Sequence, residues 1–483
     1  MTDLPLRLSD GTLIYLAPSL NTITTYVLLE QEAWFEKEAK FVPLLIKPGM
    51  TVLDIGANVG VYSLPLARRA APTGRVYAYE PASEPRRLLE KSKDANTLHN
   101  LTVVGAALSD RSRRAHLDAG ISSELHKLAD RDKDDNNSLG ESVPVTSLDE
   151  EDAIRNWGSP DFVKIDAEGE EQRILAGGQN FFTRNSPLVM FEVKAEKEID
   201  KAIPAAFRAL GYRIFRLLPG APILVPVETG DTLDTFELNL FAAKPDRAAA
   251  LAHEGWLADE IFDWSPDENA RAHALDLIAT QPFGPAVAGL PVPAMGSPYR
   301  DALAGYAQWR SPSATPSLRY AALRFSYATL QELCQAKPQT AYRSTFARVA
   351  WELGFRKSCI ETLQALLTSA REGISVAEPF WPANARFDAI RPAANPGQWF
   401  IAGLLEQLEI AAAYSSIFTS GGTNLDWLRR EPFVSAEIER RHMLRQLRAG
   451  MQLAVPDRLC RSAADHLNAE LWRSGAIPNT LRP

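Results

Sequence analysis

Short apolar segments alternate with amphipathic segments between about residues 50 and 245, and this alternation restricts the possible fold more than any other feature of the chain. Strand-like runs are expected at 50–55, 75–79, 101–106, 162–165 and 188–193. The segments between several of these runs have helical character, and strands that alternate with helices indicate an α/β fold with a parallel sheet. Two last strands, 212–217 and 236–243, can form an antiparallel pair after a helix at 198–210.

The chain is too long for one hydrophobic core, since single cores stop growing near ~250–300 residues and this chain has 483. Residues 4–16 predict a hairpin around Asp10-Gly11, and residues 28–46 predict a helix. We therefore predict three parts: an N-terminal hairpin and helix (1–49), the α/β domain (50–245) and a helical domain of unknown role (250–483).

Helical periodicity dominates the last of these parts. Helices are expected at 298–310, 317–335, 341–353, 358–371, 399–417 and 434–453. Eight of the ten tryptophans also lie here. We expect most of them to be core residues because their rings bury a large area, with stacking on sugar rings as the alternative. The domain is expected either to contact a ligand or to mediate oligomers.

Composition excludes several classes of protein. The net charge of −8 leaves no basic footprint for nucleic acid, and three scattered cysteines do not form a disulfide framework or a zinc cluster. No apolar run reaches the ~18–20 residues of a transmembrane segment, and the first residues do not resemble a signal peptide. We therefore expect a cytoplasmic protein.

A glycine-containing loop, VLDIGANVG at residues 52–60, follows the first buried strand. Glycines permit a sharp turn into the next helix and the close approach of a ligand. The Gly-x-Gly-x-x-Gly order of dinucleotide folds is missing, and a carboxylate at Asp54 repels a pyrophosphate but suits an ammonium and a sulfonium. The candidate cofactor-binding residues of this loop are Asp54, Gly56, Asn58 and Gly60.

Further candidates end the second and third strands. Glu80 lies twenty residues after Gly60, where an acid accepts hydrogen bonds from ribose hydroxyls. The alternative is that Asp54 caps a helix and Glu80 is a solvated strand end. Ala107 leaves room for an adenine ring, and Asp110 either accepts from the adenine amino group or starts a turn.

Carboxylates also follow the fourth and fifth strands. Asp166, in the segment VKIDAEGEE at 163–171, and Glu192 lie at strand ends, where open α/β sheets place groups that contact ligands. Glu168 is either a pocket residue or a helix-entry residue. The candidate catalytic residues are therefore Asp166, Glu192 and Glu168.

Four of these segments together resemble the FkbM family of methyltransferases, over about residues 50–245. They are VLDIGANVG, Glu80-Pro81, VPVTSLDE (143–150) and VKIDAEGEEQRILAGG (163–178). The resemblance implies a Rossmann-like class I sheet that binds S-adenosyl-L-methionine, and commonly O-methylation of sugars or other hydroxylated natural products. Family members often have a histidine after the fifth strand, where this chain has Glu192-Val193-Lys194. Lys194 or another group would then have to replace it.

The chemistry implied by this resemblance leaves two mechanisms open. A hydroxyl nucleophile must be aligned with the methyl group and needs either a base or a cation that lowers its pKa. Asp166 and Glu192 can act as a base, or the carboxylates can hold a divalent metal ion through oxygen ligands. His116 and His126 lie in the polar segment 111–147 and belong either to a solvated loop or to a lid.

The leading hypothesis is an S-adenosyl-L-methionine-dependent O-methyltransferase that acts on a sugar, a glycan or a related small molecule. One alternative is a non-catalytic protein that keeps the cofactor fold and recruits partners through its helical domain. Another is an NAD-linked oxidoreductase, which the spacing of the glycine loop disfavours.

Overall fold

A computed structural model shows the architecture of the chain. It describes residues 3–117, 128–129, 140–193, 199–370, 373, 375–392, 395–419, 423–477 and 481. His126 and Lys194, which were considered above, lie outside the described residues. None of the helices in the described part combines the length and the apolar character that a membrane crossing requires.

The N-terminal segment is a hairpin followed by two helices. Its elements are β1 (Leu4–Arg7), β2 (Leu13–Leu16), α1 (Ile23–Gln31) and α2 (Lys37–Leu45). The two strands pair antiparallel across the predicted turn. Two helices replace the single helix expected over 28–46. Glu32 ends the first in left-handed backbone (φ 56°), and its carboxylate accepts the backbone N–H groups of Leu467 and Asn468, so a long-range contact interrupts the helix.

Strands β3 to β14 belong to two sheets. The strands in chain order are β3 (Thr51–Ile55), β4 (Arg75–Tyr79), β5 (Leu101–Val104), β6 (Ala107–Ser109), β7 (Arg113–Leu117), β8 (Leu128–Ala129), β9 (Glu141–Ser147), β10 (Phe162–Ile165), β11 (Leu188–Glu192), β12 (Arg213–Leu217), β13 (Leu224–Pro226) and β14 (Asn239–Ala243). The large sheet has the order β13-β12-β14-β11-β10-β3-β4-β5, and the small one has the order β6-β9-β7-β8. In the large sheet β5, β4, β3, β10 and β11 run parallel, whereas β14, β12 and β13 pair antiparallel. This confirms a Rossmann-like α/β sheet.

Helices cover both faces of the large sheet, as the apolar strands of a parallel sheet require. They are α3 (Ser63–Ala70), α4 (Ser83–Ala95), α5 (Leu148–Arg155), α6 (Glu171–Ala176), α7 (Gln179–Arg184), α8 (Ala202–Ala209) and α9 (Pro245–His253). Successive residues of β3 point to opposite faces: Val52 packs in one core and Leu53 in the other. The carboxyl ends of the parallel strands therefore stay free to form a site.

The chain after residue 253 is helical. It contains α10 (Glu268–Thr280), α11 (Pro298–Trp309), α12 (Pro316–Ala336), α13 (Thr340–Leu353), α14 (Arg356–Ala370), α15 (Pro396–Ala412), α16 (Thr423–Leu428), α17 (Ala436–Arg448), α18 (Asp457–Cys460) and α19 (Ala469–Arg473), with 3-10 turns at Gly284–Ala286, Ala385–Ala389 and Ser416–Phe418. The six helices expected here are present within a few residues of their predicted bounds. The sequence did not predict α10. Only Ala274 and Ile278 of this helix are buried, and so narrow an apolar stripe gives a weak helical pattern.

The helical region packs in two ways. Trp309, Trp381 and Trp399 are buried in a core that also contains Ile223 next to β13. Trp472 and the residues around it instead join the core of the N-terminal hairpin and the large sheet. Both ends of the helical region thus contact the α/β part, and the division into domains stays a prediction.

Candidate functional site

A cavity of about 420 Å³ lies at the carboxyl ends of the parallel strands. Ligands of open α/β sheets bind at this edge. The residues that follow or end the strands line the cavity: Gly56, Ala57 and Asn58 after β3, Glu80 and Pro81 after β4, Asp166 and Ala167 after β10, and Glu192 at the end of β11. The strand order thus brings together residues that are far apart in the sequence.

The turn after β3 depends on Gly56 and Asn58, whose backbones have φ values of 80° and 48°. The N–H groups of Gly56 and Ala57 both donate to the carbonyl of Tyr79, at 3.0 Å, and tie the turn to β4. A β-carbon at Gly56 would lie 1.8 Å from the backbone oxygen of Asp166. Only glycine fits there, and the turn can therefore approach β10 closely.

Glu80 presents a buried carboxylate to the cavity and is 7% exposed. Its two oxygens accept the backbone N–H groups of Asn58 and Ala82, each at 2.8 Å. Burial raises the pKa of Glu80 to about 7, although these two hydrogen bonds favour the charged form. A carboxylate oxygen accepts more than one hydrogen bond, so a hydroxyl group in the cavity can also donate to Glu80.

Lys164 lies between two carboxylates beside the cavity. Its Nζ is 2.9 Å from Asp166 and 3.7 Å from Asp54, and it donates to the carbonyl of Gly56 at 3.4 Å. Burial opposes the charge on Lys164, but the carboxylates of Asp166 and Asp54 outweigh it and raise the pKa of the ammonium group. Lys164 therefore holds the ends of β3 and β10 together.

Most of the residues predicted from the sequence meet at this cavity. Those that line it are Gly56, Asn58, Glu80, Ala107, Asp166, Glu168 and Glu192. Asp54, Gly60 and Asp110 are not among the described residues that line it. Asp54 is fully buried, and its carboxylate accepts the hydroxyl of Ser63 at 2.5 Å. Asp54 therefore does not line the cavity, contrary to what the sequence led us to expect. Its carboxylate instead lies 3.7 Å from the ammonium group of Lys164.

Two other predicted residues have structural contacts outside the cavity. A β-carbon at Gly60 would lie 2.4 Å from Cδ1 of Leu89, so this glycine lets α4 pack against the loop. Asp110 lies between β6 and β7 and forms an ion pair with Arg113 at 2.9 Å, and its role in binding adenine stays a prediction. His116 lies in β7 and is also not among the described lining residues.

A comparison with protein families identifies the domain that forms most of this cavity. Residues 54–214 match the model of a family described as Methyltransferase FkbM domain. This segment is an FkbM methyltransferase domain. The match extends from Asp54 in β3 to Ile214 in β12, and it includes the glycine turn, Glu80, Asp166 and Glu192.

Other similar proteins share only part of the chain. The antimetabolite synthetase AmbE of Pseudomonas aeruginosa is 38% identical over 90 residues, which are 19% of this chain and 4% of that protein. A methyltransferase FkbM from Methylobacillus flagellatus has 17% identity, covers 45% of this chain and 47% of its own, and gives a TM-score of 0.26. A SAM-dependent O-methyltransferase from Thermotoga maritima has 17% identity, covers 50% of this chain and 77% of its own, and gives a TM-score of 0.27. The fold assignment therefore rests on the strand order described above.

Residues outside the FkbM domain complete the cavity. They are Ile23, Thr24, Trp34, Phe35 and Glu36 from the N-terminal segment, Leu238 before β14, and Tyr414 and Phe418 after α15. The hydroxyl of Tyr62 in the FkbM domain donates to Glu36 at 2.5 Å. Sequence reasoning missed these residues because no motif connects them. Their only local signal is a run of two aromatic residues and an acid at 34–36, between two helices.

The carboxylates of the cavity interact with one another. Burial and the nearby carboxylate of Asp166 raise the pKa of Glu36, against the hydrogen bond from Tyr62. Within the described ranges, no group of three or more histidines, cysteines, aspartates or glutamates is arranged to hold a metal ion. The divalent ion considered from the sequence therefore has no ligand set in this part of the chain.

Proposed function

We propose that this chain is an S-adenosyl-L-methionine-dependent methyltransferase that methylates a hydroxyl oxygen of a small molecule, such as a sugar or a related hydroxylated metabolite. The observation that supports it most strongly is the buried Glu80 carboxylate beside the glycine turn, at the strand edge of an FkbM domain. An acid in this position suits the two hydroxyls of a ribose.

The lining residues suit the functional groups of the cofactor. Glu80 would accept the ribose hydroxyls, and Ala107 leaves space for the adenine ring beside Leu108. Asp166 and Glu168 bring negative charge to the cavity, which favours a ligand with an ammonium and a sulfonium group. When bound, S-adenosyl-L-methionine supplies an electrophilic methyl group on its sulfur.

The chain itself must orient the acceptor hydroxyl and receive its proton. Asp166 lines the cavity and is held at 2.9 Å by Lys164, so its carboxylate has a fixed position. Glu192 ends the neighbouring strand β11 and lines the same cavity. We assign proton acceptance to these two carboxylates, because a base must be within hydrogen-bond reach of the hydroxyl.

A methyl-transfer assay tests this function. Radiolabelled S-adenosyl-L-methionine is incubated with the protein and a panel of sugars, glycans and phenols, and the labelled product is identified. Asp166→Asn is expected to lower turnover at least a hundredfold, since general-base catalysis contributes about 10²–10⁴-fold, while binding of S-adenosylhomocysteine persists. The control Asp457→Asn, which changes an exposed carboxylate of α18, should transfer label at the normal rate. Transfer by Asp166→Asn at the normal rate would remove Asp166 from this role. Absence of transfer by the unaltered protein would favour a non-catalytic binding protein.

A further inference from the structure

A second cavity, of about 610 Å³, lies in the helical region beside the turn between β12 and β13. None of its described lining residues belongs to the FkbM domain or lines the cavity at the edge of the sheet. The turn contributes Gly220, whose backbone N–H donates to the carbonyl of Glu352 in α13 at 3.1 Å. Cavities of this size bind small organic molecules. We call it the arginine cavity because four arginines line it: Arg310, Arg319, Arg348 and Arg386.

Two of these arginines are paired with carboxylates that line the same cavity. Arg348 is buried and forms ion pairs with Glu352 and Asp388, the second at 2.8 Å. Arg310 also pairs with Asp388, at 2.7 Å. Two guanidinium groups therefore contact two carboxylates, and their charges balance.

The charge of Arg386 is balanced by a carboxylate behind the lining. Its Nε and one of its Nη atoms donate to the two oxygens of Glu406, each at 2.6 Å. Glu406 is buried and is not among the described residues that line the cavity. Paired hydrogen bonds of this kind are a strong form of contact between arginine and a carboxylate. Arg386 therefore brings no unpaired charge to the arginine cavity.

Arg319 differs from the other three arginines. Its Nε donates to the carbonyl of Trp309 at 2.8 Å, and its guanidinium group lies 4.9 Å from the centre of the Trp309 ring. Over the described ranges, no carboxylate forms an ion pair with Arg319. Burial lowers the pKa of Arg319, and the charge of Glu352 offsets this effect only in part. Since arginine stays protonated at neutral pH, the arginine cavity holds one positive charge without a paired carboxylate.

Unused hydrogen-bond donors accompany this charge. Neither Nη atom of Arg319 has a hydrogen-bond partner in the described part of the chain, and neither is fully buried. The same is true of Nη2 of Arg310, whose Nη1 donates to Asp388. The rings of Trp309 and Trp381, at 4.9 Å and 5.0 Å, hold the guanidinium groups of Arg319 and Arg310 in place. Because these donors are positioned before a ligand arrives, binding costs little side-chain entropy.

We propose that the arginine cavity binds the carboxylate group of a small organic acid, with Arg319 as its main partner and Arg310 as a second donor. The planar fork of a guanidinium group matches the geometry of a carboxylate. A single unpaired positive charge suits a carboxylate better than a phosphate monoester, which carries up to two negative charges. Pro282, Ala385 and Ala389 offer apolar surface to the rest of the molecule. The inference goes beyond the proposed function, because it assigns a second site and a class of ligand to the helical region.

Benzoate and benzamide test the preference for an anion, because they share size and shape and differ in the charged group. Each is titrated by calorimetry into the whole chain. We expect benzoate to bind at one site, at least tenfold more tightly than benzamide, and with the same affinity when S-adenosylhomocysteine is present. Equal affinities, no binding of benzoate, or its displacement by S-adenosylhomocysteine would overturn the inference. Tighter binding of phenyl phosphate than of benzoate would overturn the assignment of a carboxylate.

Variants at Arg319 test which residue binds the anion. Arg319→Gln should weaken benzoate binding at least tenfold, because charge-assisted hydrogen bonds are lost. Arg319→Lys keeps the charge without the fork and should have an intermediate affinity, and it keeps the test valid if Arg319→Gln does not fold. Arg69→Gln is the control, because Arg69 is an exposed residue of α3 and is not among the described residues that line the arginine cavity. Unchanged benzoate affinity in the Arg319 variants, or an equal loss in Arg69→Gln, would refute the role of Arg319.

Discussion

Glu80 has a pKa of about 7 because its carboxylate is buried, and this value makes cofactor binding sensitive to pH in the neutral range. At a pKa of 7, the charged fraction rises from about one in eleven at pH 6 to about ten in eleven at pH 8. Ribose hydroxyls donate to the charged form and favour it. If this form alone binds the ribose, the Kd for S-adenosylhomocysteine falls about tenfold between these pH values, which equals about 1.4 kcal/mol.

The stability of the unliganded protein is expected to change in the opposite direction. The pKa of Glu80 in the folded chain, about 7, lies above its ordinary value of 4.5. Between these two values the folded state binds more protons than the unfolded state, so its stability falls as the pH rises from 4.5 through 7. The loss attributable to Glu80 is about 3 kcal/mol, at about 1.4 kcal/mol for each pH unit.

Both effects can be measured on one pair of variants. Calorimetric titration with S-adenosylhomocysteine at pH 6, 7 and 8 gives the Kd, and urea unfolding of the unliganded protein at pH 4.5, 6, 7 and 8 gives the stability. Glu80→Gln does not titrate, so both pH dependences should become flatter, whereas Glu254→Gln, which removes an exposed surface carboxylate, should leave them unchanged. A Kd that does not change with pH in the unaltered protein, or a tenfold change that persists in Glu80→Gln, would refute this reasoning.

Two further predictions concern the framework of the cavity. Lys164→Met removes the positive charge that Asp54 and Asp166 share. Urea denaturation should show a free energy of unfolding that is lower by about 3–5 kcal/mol. A loss below about 1 kcal/mol would show that the ion pairs contribute little to stability. Gly56→Ala should abolish the rise in melting temperature with S-adenosylhomocysteine, because a β-carbon would lie 1.8 Å from the oxygen of Asp166. Gly158→Ala, at a similar φ of 77° with nothing within 4 Å of the added carbon, should keep that rise; equal behaviour of the two variants would contradict the explanation.

Sequence reasoning was accurate where local pattern and final structure coincide. The strands 75–79 and 162–165 were predicted at the bounds that the structure shows, because short, mainly apolar runs are typical of the strands of a parallel sheet, which are buried on both faces. It failed where a distant contact decides the local structure. The helix expected over 28–46 breaks at Glu32, whose partners Leu467 and Asn468 lie more than 400 residues away.

Only those site residues that lie within the FkbM domain could be predicted from the sequence. Gly56, Glu80 and Asp166 follow strands, so their meeting at one edge follows from the fold. The position of Asp54 could not be predicted, because its burial depends on an ammonium group on another strand. The position of Tyr414 in the cavity could not be predicted either. Tyr414 reaches the cavity because the helical region packs on the N-terminal segment.

The central claim is that the acidic cavity at the carboxyl edge of the sheet binds the adenosyl cofactor, and a crystal structure of the complex with S-adenosylhomocysteine tests it most directly. We expect the ligand in this cavity, with the ribose hydroxyls about 2.5–3.0 Å from the carboxylate of Glu80. A ligand bound elsewhere on the chain, or an adenosyl group that makes no contact with Glu80, would contradict the account.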